Sequence, residues 1–271
     1  MSNAICREDS TVFGLGKSLI SASNCDEMPH RPLKDFEAIS FDYGGTLIEP
    51  LALPVFEVHK KAIQRVFGDE VRFSDQEITE AIDLADEDVW EGIQDLDKHY
   101  FFSEEDWIER NRIVLRNLGV AERVDERAKH MQDLWIEIVT PLPQNLKPDA
   151  KETLEQLKAR GYKLAMSTNW SDPSESLKSR GIGGIFQSIQ FTIVPGYRKP
   201  SPYMLTQNAI ELGVNPLNCA FVGNEIERDV AAAKRAGFHP ILVVNEEYGV
   251  PNTEEGLTVI HELRELLVLF E

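Results

Sequence analysis

FEAISFDYGGTLIEP, residues 36–50, decides the fold. Apolar side chains (Phe36, Ala38, Ile39, Phe41) run up to Asp42. The chain then breaks at Gly44-Gly45 and turns apolar again at Leu47-Ile48. This pattern predicts a buried strand ending at Asp42, followed by a tight glycine turn. Such a strand cannot stand alone, because its backbone N–H and C=O groups need partners on both edges.

The partners are legible downstream of Pro148. A helix near 149–160 closes at Gly161 and the strand YKLAMST (162–168) follows. Asp172, Pro173 and Glu175 carry the start signals of another helix. A strand near 189–194, a helix opened by Ser201-Pro202, a strand over 219–222 and a helix over 227–236 closed by Gly237 come next. The strand ILVV (241–244) and a short helix around 261–268 complete the series. This alternation predicts an α/β fold, a mostly parallel sheet covered by helices on both faces.

Upstream of it, residues 54–140 read as helix after helix. Ser74 and Glu77 have capping-box spacing ahead of Ile78, Ile82, Ala85 and Val89. Ser103 is a second N-cap candidate ahead of Trp107, Ile108, Leu115 and Leu118. Val124, Ala128, Met131, Trp135 and Ile138 form a last stripe. The expected organisation is therefore a flexible leader over 1–34, an α/β core built from 35–53 and 141–271, and an inserted all-helical cap over 54–140. Placed between the first strand and the rest of the core, that cap lies over the sheet's C-terminal edge, where open α/β sheets bind ligands.

Composition sets limits on function. Of the 271 residues, 42% are hydrophobic, enough for a sizeable core. The 28 Lys+Arg stand against 46 Asp+Glu, a net charge of −18, which argues against a nucleic-acid or anionic-membrane partner. No apolar run approaches the roughly 20 residues of a membrane span. Cys6, Cys25 and Cys219 follow no metal-ligand spacing. The expected setting is cytoplasmic and reducing; no spacing specifies an oligomeric state. The helical block holds much of the acidity, with 22 Asp+Glu against 11 Lys+Arg over 52–145.

Four polar stretches fall at or just beyond strand ends: Asp42; Ser167-Thr168-Asn169; Arg198-Lys199; and Gly223-Asn224-Glu225 with Asp229. A parallel sheet gathers such ends into one crevice. There, an oriented carboxylate (Asp42) can attack a phosphorus or carbon centre. Thr168 or Ser167 can bond a substrate's oxygens and Lys199 can neutralise charge developing on them. Asn224, Glu225 and Asp229 offer oxygen ligands that suit Mg²⁺. Backbone N–H groups around Tyr43, Gly44 and Gly45 can form an anion-binding nest. In the cap, Trp90, Tyr100, Phe101, Phe102 and Trp107 form an aromatic group, Arg110 and Arg112 are candidate anion contacts, and His59 is a candidate proton carrier near neutral pH.

FDYGGTL (41–47), MSTN (166–169), GYRKPSP (196–202) and FVGNEIERDVAAAKRAGF (221–238), in this order and with a helical block after the first, resemble the four motifs of the haloacid dehalogenase-like hydrolases. The resemblance covers residues 36–245. It implies a Rossmann-like sheet with an inserted cap, and a phosphatase-like hydrolase that works through an aspartyl intermediate on a small phosphorylated molecule. It implies Asp42 as nucleophile and Thr168 and Lys199 as catalytic partners. Substrate contacts come from Tyr43, Gly44, Gly45, Thr168, Asn169 and Arg198, and a Mg²⁺ site from Asp42, Gly44, Asn224, Glu225 and Asp229.

Two positions depart from the family's phosphatase pattern. Gly44 stands where a second Asp protonates the leaving group, a contribution of roughly 10²–10⁴ in rate. Asn224 stands where a metal-binding Asp is usual. Glu49 and Glu225 are the nearest substitute acids. Two alternatives to the phosphohydrolase remain open: a catalytically silent member that binds a phospholigand or a protein, and a hydrolase of carbon–halogen bonds, whose halide departs without an acid.

Overall fold

A computed structural model describes residues 32–68, 73–91, 104–169, 172–192, 197–244 and 256–271. The expected leader lies outside these residues up to 31, and its boundary falls in a short 3₁₀ turn, Leu33–Asp35. Tyr100, Phe101, Phe102, Ser103 and the side chain of Trp90 are likewise outside them.

Six strands form one sheet in the order β3-β2-β1-β4-β5-β6: β1 (Ala38–Phe41), β2 (Lys163–Thr168), β3 (Ser188–Phe191), β4 (Cys219–Gly223), β5 (His239–Val243) and β6 (Thr258–Ile260). Every pairing is parallel. β1 is central, flanked by β2 and β4, so all four of its residues are buried. Alternate side chains feed opposite layers. Ile39 and Phe41 pack with Leu154, Leu157, Leu164, Met166 and Val222 on one side, while Ala38 meets Leu205, Ala209 and Phe221 on the other. Burying Ile39 or Phe41 contributes roughly 1.5–3 kcal/mol each, and a charge at Ile39 would abolish the strand's place in the sheet.

Among the described residues, four α-helices lie between β1 and β2: α1 (Val55–Phe67), α2 (Asp75–Glu91), α3 (Glu104–Asn117) and α4 (Val124–Val139). They own separate cores, one around Ile63, Ile78, Ala85, Leu115 and Met131, the other around Val58, Ala62, Leu134 and Ile138. The Ser74–Glu77 box forms as its spacing predicts: the Ser74 N–H donates to Glu77 Oε2 at 2.8 Å, and the Glu77 N–H to Ser74 Oγ at 3.3 Å. Among the described residues, no helix is long and apolar enough to cross a membrane.

Helices α5 (Ala150–Ala159), α6 (Ser174–Ser179), α7 (Tyr203–Leu212), α8 (Ala231–Ala236) and α9 (Leu266–Leu269) complete the core. The helix expected over 227–236 differs from its prediction, because its first turn, Ile226–Val230, is π-type. The Val230 N–H reaches back five residues to the Glu225 carbonyl at 3.2 Å. This wide turn lets Asp229 accept the N–H groups of Asn224 (2.9 Å) and Glu225 (3.0 Å). β6 was not anticipated, and the C-terminal helix is reduced to a 3₁₀ turn (Leu263–Glu265) plus α9.

Candidate active site

The loop after β1 and the end of β4 meet around Asp42. The Asp42 N–H bonds the Val222 carbonyl at 2.8 Å, which fixes its backbone to β4. Gly45 turns the chain with φ 75°, and a Cβ there would come within 2.7 Å of the Asn224 amide. Glycine is therefore required twice over, for backbone conformation and for space. Gly223 is equally constrained, since a Cβ on it would meet Asp229 at 2.4 Å.

Lys199 organises the charges. Its Nζ donates to Asp42 Oδ1 at 2.6 Å and to Asp229 Oδ1 at 2.6 Å, with the lysine only 2% exposed. Burial alone would lower the ammonium's pKa, but the two carboxylates outweigh it and the net shift is upward. Asp42 is itself raised to about 7: burial raises it, Lys199 pulls it back, and Asp229 raises it again. The Tyr43 N–H also bonds the Asp42 carboxylate and favours its charged form.

The other Asp42 oxygen, Oδ2, accepts from Thr46 Oγ1 at 3.2 Å. Thr46 was absent from the sequence-derived set, although it lies inside FDYGGTL; a threonine in a turn carries no periodic signal. Asn208 on α7 was also missed. Its fully buried amide donates to Ser40 Oγ (2.9 Å), Met166 O (3.0 Å) and Ser167 Oγ (2.7 Å), and accepts from Ser188 Oγ (2.6 Å). It ties β1, β2 and β3 together beneath the site and occupies the Ser167 hydroxyl, while Thr168 lies fully buried at the end of β2.

Three of the expected site residues make further bonds. Asn169 donates from Nδ2 to the Lys199 carbonyl at 3.1 Å and accepts the Lys199 N–H at 2.8 Å, so its amide positions the Lys199 backbone. The Tyr43 ring packs in the core and its hydroxyl bonds Ser176 Oγ at 2.6 Å, so only its backbone serves the site. Asp229, expected as a metal ligand, gives Oδ1 to Lys199 and Oδ2 to two backbone N–H groups. Arg198 is buried beside Lys199 in sequence.

Of the two substitute acids, Glu49 is exposed, with its N–H bonded to Asn145 O at 2.8 Å. Glu225 is partly buried and its pKa is raised, by burial first, with Arg228 pulling it back. Lys147, not anticipated, feels the Asp42 charge, although burial lowers its pKa on balance.

In the helical block, His59 is buried and its pKa falls to about 3, through burial first and the nearby Arg110 charge second. Burial thus favours its neutral form near neutral pH. Arg110 is committed to Asp86, with Nε at 2.5 Å and Nη2 at 2.9 Å, and Arg112 to Glu105, Glu109 and Asp125. Neither presents its charge to a substrate as the sequence suggested.

Asp42, Gly44, Thr46, Lys199, Asn224 and Asp229 thus converge at the ends of adjacent parallel strands, from motifs as far apart as 42 and 229. The haloacid dehalogenase-like hydrolase family matches residues 36–237. The chain belongs to this family. A glyceraldehyde 3-phosphate phosphatase of Methanopyrus kandleri is 25% identical over 221 residues, covering 78% of this chain and 85% of that protein. An (S)-2-haloacid dehalogenase 4A of Burkholderia cepacia is 30% identical over 125 residues, 45% of this chain and 53% of its own length. A predicted phosphoglycolate phosphatase from Haemophilus somnus shares the fold, with a TM-score of 0.60 at 21% identity over 88% of this chain and 99% of that one. Its relatives thus include both phosphatases and dehalogenases within one family of hydrolases.

Proposed function

We propose that this chain is a phosphohydrolase for a small phosphorylated substrate, working through a covalent intermediate on Asp42 in a cytoplasmic, reducing setting. The observation that carries the reading is the Lys199 bridge, which holds one Asp42 oxygen at 2.6 Å while Thr46 holds the other. An Asp42 oxygen attacks phosphorus as the bond from phosphorus to the leaving oxygen breaks, giving an acyl phosphate. Water then cleaves the new bond, releasing phosphate and restoring the carboxylate. Lys199 stabilises charge on the transferring group, with Thr168 and the N–H groups of Gly44 and Gly45 as hydrogen-bond donors to its oxygens. Lys147 is a further candidate contact for the anion.

Mg²⁺ is part of the proposal, held by Asp42, the Gly44 carbonyl and Asn224. Among the described residues no three His, Cys, Asp or Glu side chains cluster to hold a metal, so the site would rely on carbonyl and amide oxygens. Their spacing fits. An octahedral shell with arms of about 2.0–2.1 Å places adjacent oxygens about 2.9 Å apart, and the inner end of the Asn224 amide is 2.9 Å from Gly44 O and 3.3 Å from Asp42 Oδ2. When bound, Mg²⁺ supplies positive charge against the phosphoryl oxygens. Gly44 brings no proton, so the substrate is one with a good leaving group. Helices α1–α4 act as the cap that excludes water and chooses the substrate.

A second reading, displacement of halide from a small haloacid, is favoured by the hydrogen bonds the Asn224 amide can make to Asp42 without any cation. Both are tested by assaying phosphate release from an activated aryl phosphate and halide release from a 2-haloacid, with Mg²⁺ and with chelator. Phosphate release that disappears in Asp42→Asn is expected. Halide release alone would favour the second reading. Binding of a phosphorylated ligand with neither turnover would mean a silent binder and overturn both.

A further inference from the structure

Tyr43, the residue after Asp42, is held at three points. Its N–H bonds the Asp42 carboxylate. Its carbonyl accepts the N–H groups of Leu47 (3.0 Å) and Ile48 (3.1 Å), which closes the glycine turn. Its hydroxyl, on a buried ring, bonds the Ser176 hydroxyl on α6 at 2.6 Å. Ser176 is gripped in turn by Arg180, which is half-buried at the end of that helix. Arg180 Nη1 donates to the Ser176 hydroxyl and, at 3.1 Å, to the Ser176 carbonyl. The other arm, Nη2, crosses to the Gln144 carbonyl, in the linker that returns the chain from α4 to α5. That linker also pairs with the loop after β1: the Glu49 N–H bonds Asn145 O at 2.8 Å and the Lys147 N–H bonds Leu47 O at 2.9 Å, with Ile48 bridged to Leu146 between them.

We propose that Arg180 is a positioning residue for Asp42: through Ser176 it fixes Tyr43, and through the Gln144 carbonyl it ties the nucleophile's loop to the linker returning from the helical block. A guanidinium suits this place because its planar fork serves several acceptors at fixed angles. Its charge also makes each of those bonds stronger than a neutral one. Lys199 and Thr46 hold the Asp42 side chain; the chain from Arg180 holds the backbone that follows it. A displacement of about 1 Å at a reacting group costs about 10²-fold in rate. Loosening that backbone is therefore read in turnover and not in substrate affinity.

This inference rests on the proposed role of Asp42 for its catalytic consequence, and its structural half is tested without substrate. In the full-length protein, ¹⁵N order parameters of the Tyr43 and Leu47 amides are compared in the wild type, Tyr43→Phe, Arg180→Met and the double variant. Order parameters report the amplitude of local motion and do not follow a modest loss of global stability. From a rigid value of about 0.85, each single variant should fall by about 0.1–0.2. The double variant should fall no further than Arg180→Met, because a chain broken once gains nothing from a second break. Arg180→Lys, which keeps the charge and one donor, should lie between Arg180→Met and the wild type. On an activated aryl phosphate, Tyr43→Phe and Arg180→Met should lower kcat about ten-fold with KM nearly unchanged. Order parameters that stay at the wild-type value in either single variant would overturn the inference. So would losses that add in the double variant, or a KM that rises while kcat holds. A wild type that releases no phosphate counts against the proposed chemistry of Asp42, and the order parameters still decide whether Arg180 holds its loop.

Discussion

Replacing Asn169 by alanine separates a positioning role from a substrate contact. Its amide makes two hydrogen bonds to the Lys199 backbone, at 3.1 and 2.8 Å. At about 0.5–1.5 kcal/mol each, their joint loss costs about 2 kcal/mol. For a chain of this size that corresponds to a fall of roughly 4–8 °C in melting temperature. Lys199 Nζ must stay 2.6 Å from two carboxylates, and a displacement of about 1 Å at such a site costs about 10²-fold in rate. Asn169→Ala should therefore lower kcat on an aryl phosphate by about 10–100-fold with KM nearly unchanged. Asn169→Asp, which keeps the acceptor for the Lys199 N–H, should lose less stability. A variant whose KM rises steeply while kcat and melting temperature hold would refute the reasoning and return Asn169 to the substrate.

Gly44→Asp should speed alkyl phosphate hydrolysis selectively, by about 10² if the carboxylate is well placed, because protonation helps most where the departing oxygen is most basic; equal wild-type rates on alkyl and aryl phosphates, with chemistry rate-limiting, would refute this. Gly45→Ala should be destabilised by roughly 2 kcal/mol or more, from the left-handed φ of 75° and the contact at 2.7 Å with Asn224; unchanged denaturant melting would contradict it. His59, held down at about 3 by its burial against an unfolded value of 6.5, stays neutral in the fold while the unfolded chain takes up a proton. Stability should fall as pH drops from about 6.5 toward 3, by at most about 1.4 kcal/mol per unit. Since Arg110 and Asp86 face the ring, the comparison is with His59→Gln, whose stability should fall less over pH 7 to 5; parallel profiles would count against the assignment.

The central strand was legible because its apolar run ends at an abrupt glycine turn, and the parallel sheet because helix and strand signals alternate after Pro148. β6 was hidden because three residues at a sheet edge are too few to show a period. The π turn at Ile226–Val230 was hidden because the bonds that accompany it, from the Asn224 and Glu225 N–H groups to the Asp229 carboxylate, leave no mark on periodicity. Polar residue types at strand ends located the Lys199 cluster, but type alone does not say which partner a side chain selects. Asn169 read as a substrate contact, and its two bonds to the Lys199 backbone were not legible; His59 read as a candidate proton carrier or a hinge or surface residue, and its burial was not legible either. Thr46 carried no signal apart from its place in the glycine turn.

The central claim is covalent chemistry at Asp42. A single turnover of an activated aryl phosphate, quenched in acid within the lifetime of the intermediate and digested, should yield the peptide containing Asp42 heavier by one phosphoryl group. The addition should be absent in Asp42→Asn and after long incubation. Phosphate released with no modification of that peptide at any time, by a protein whose Asp42→Asn variant keeps its activity, would contradict the account.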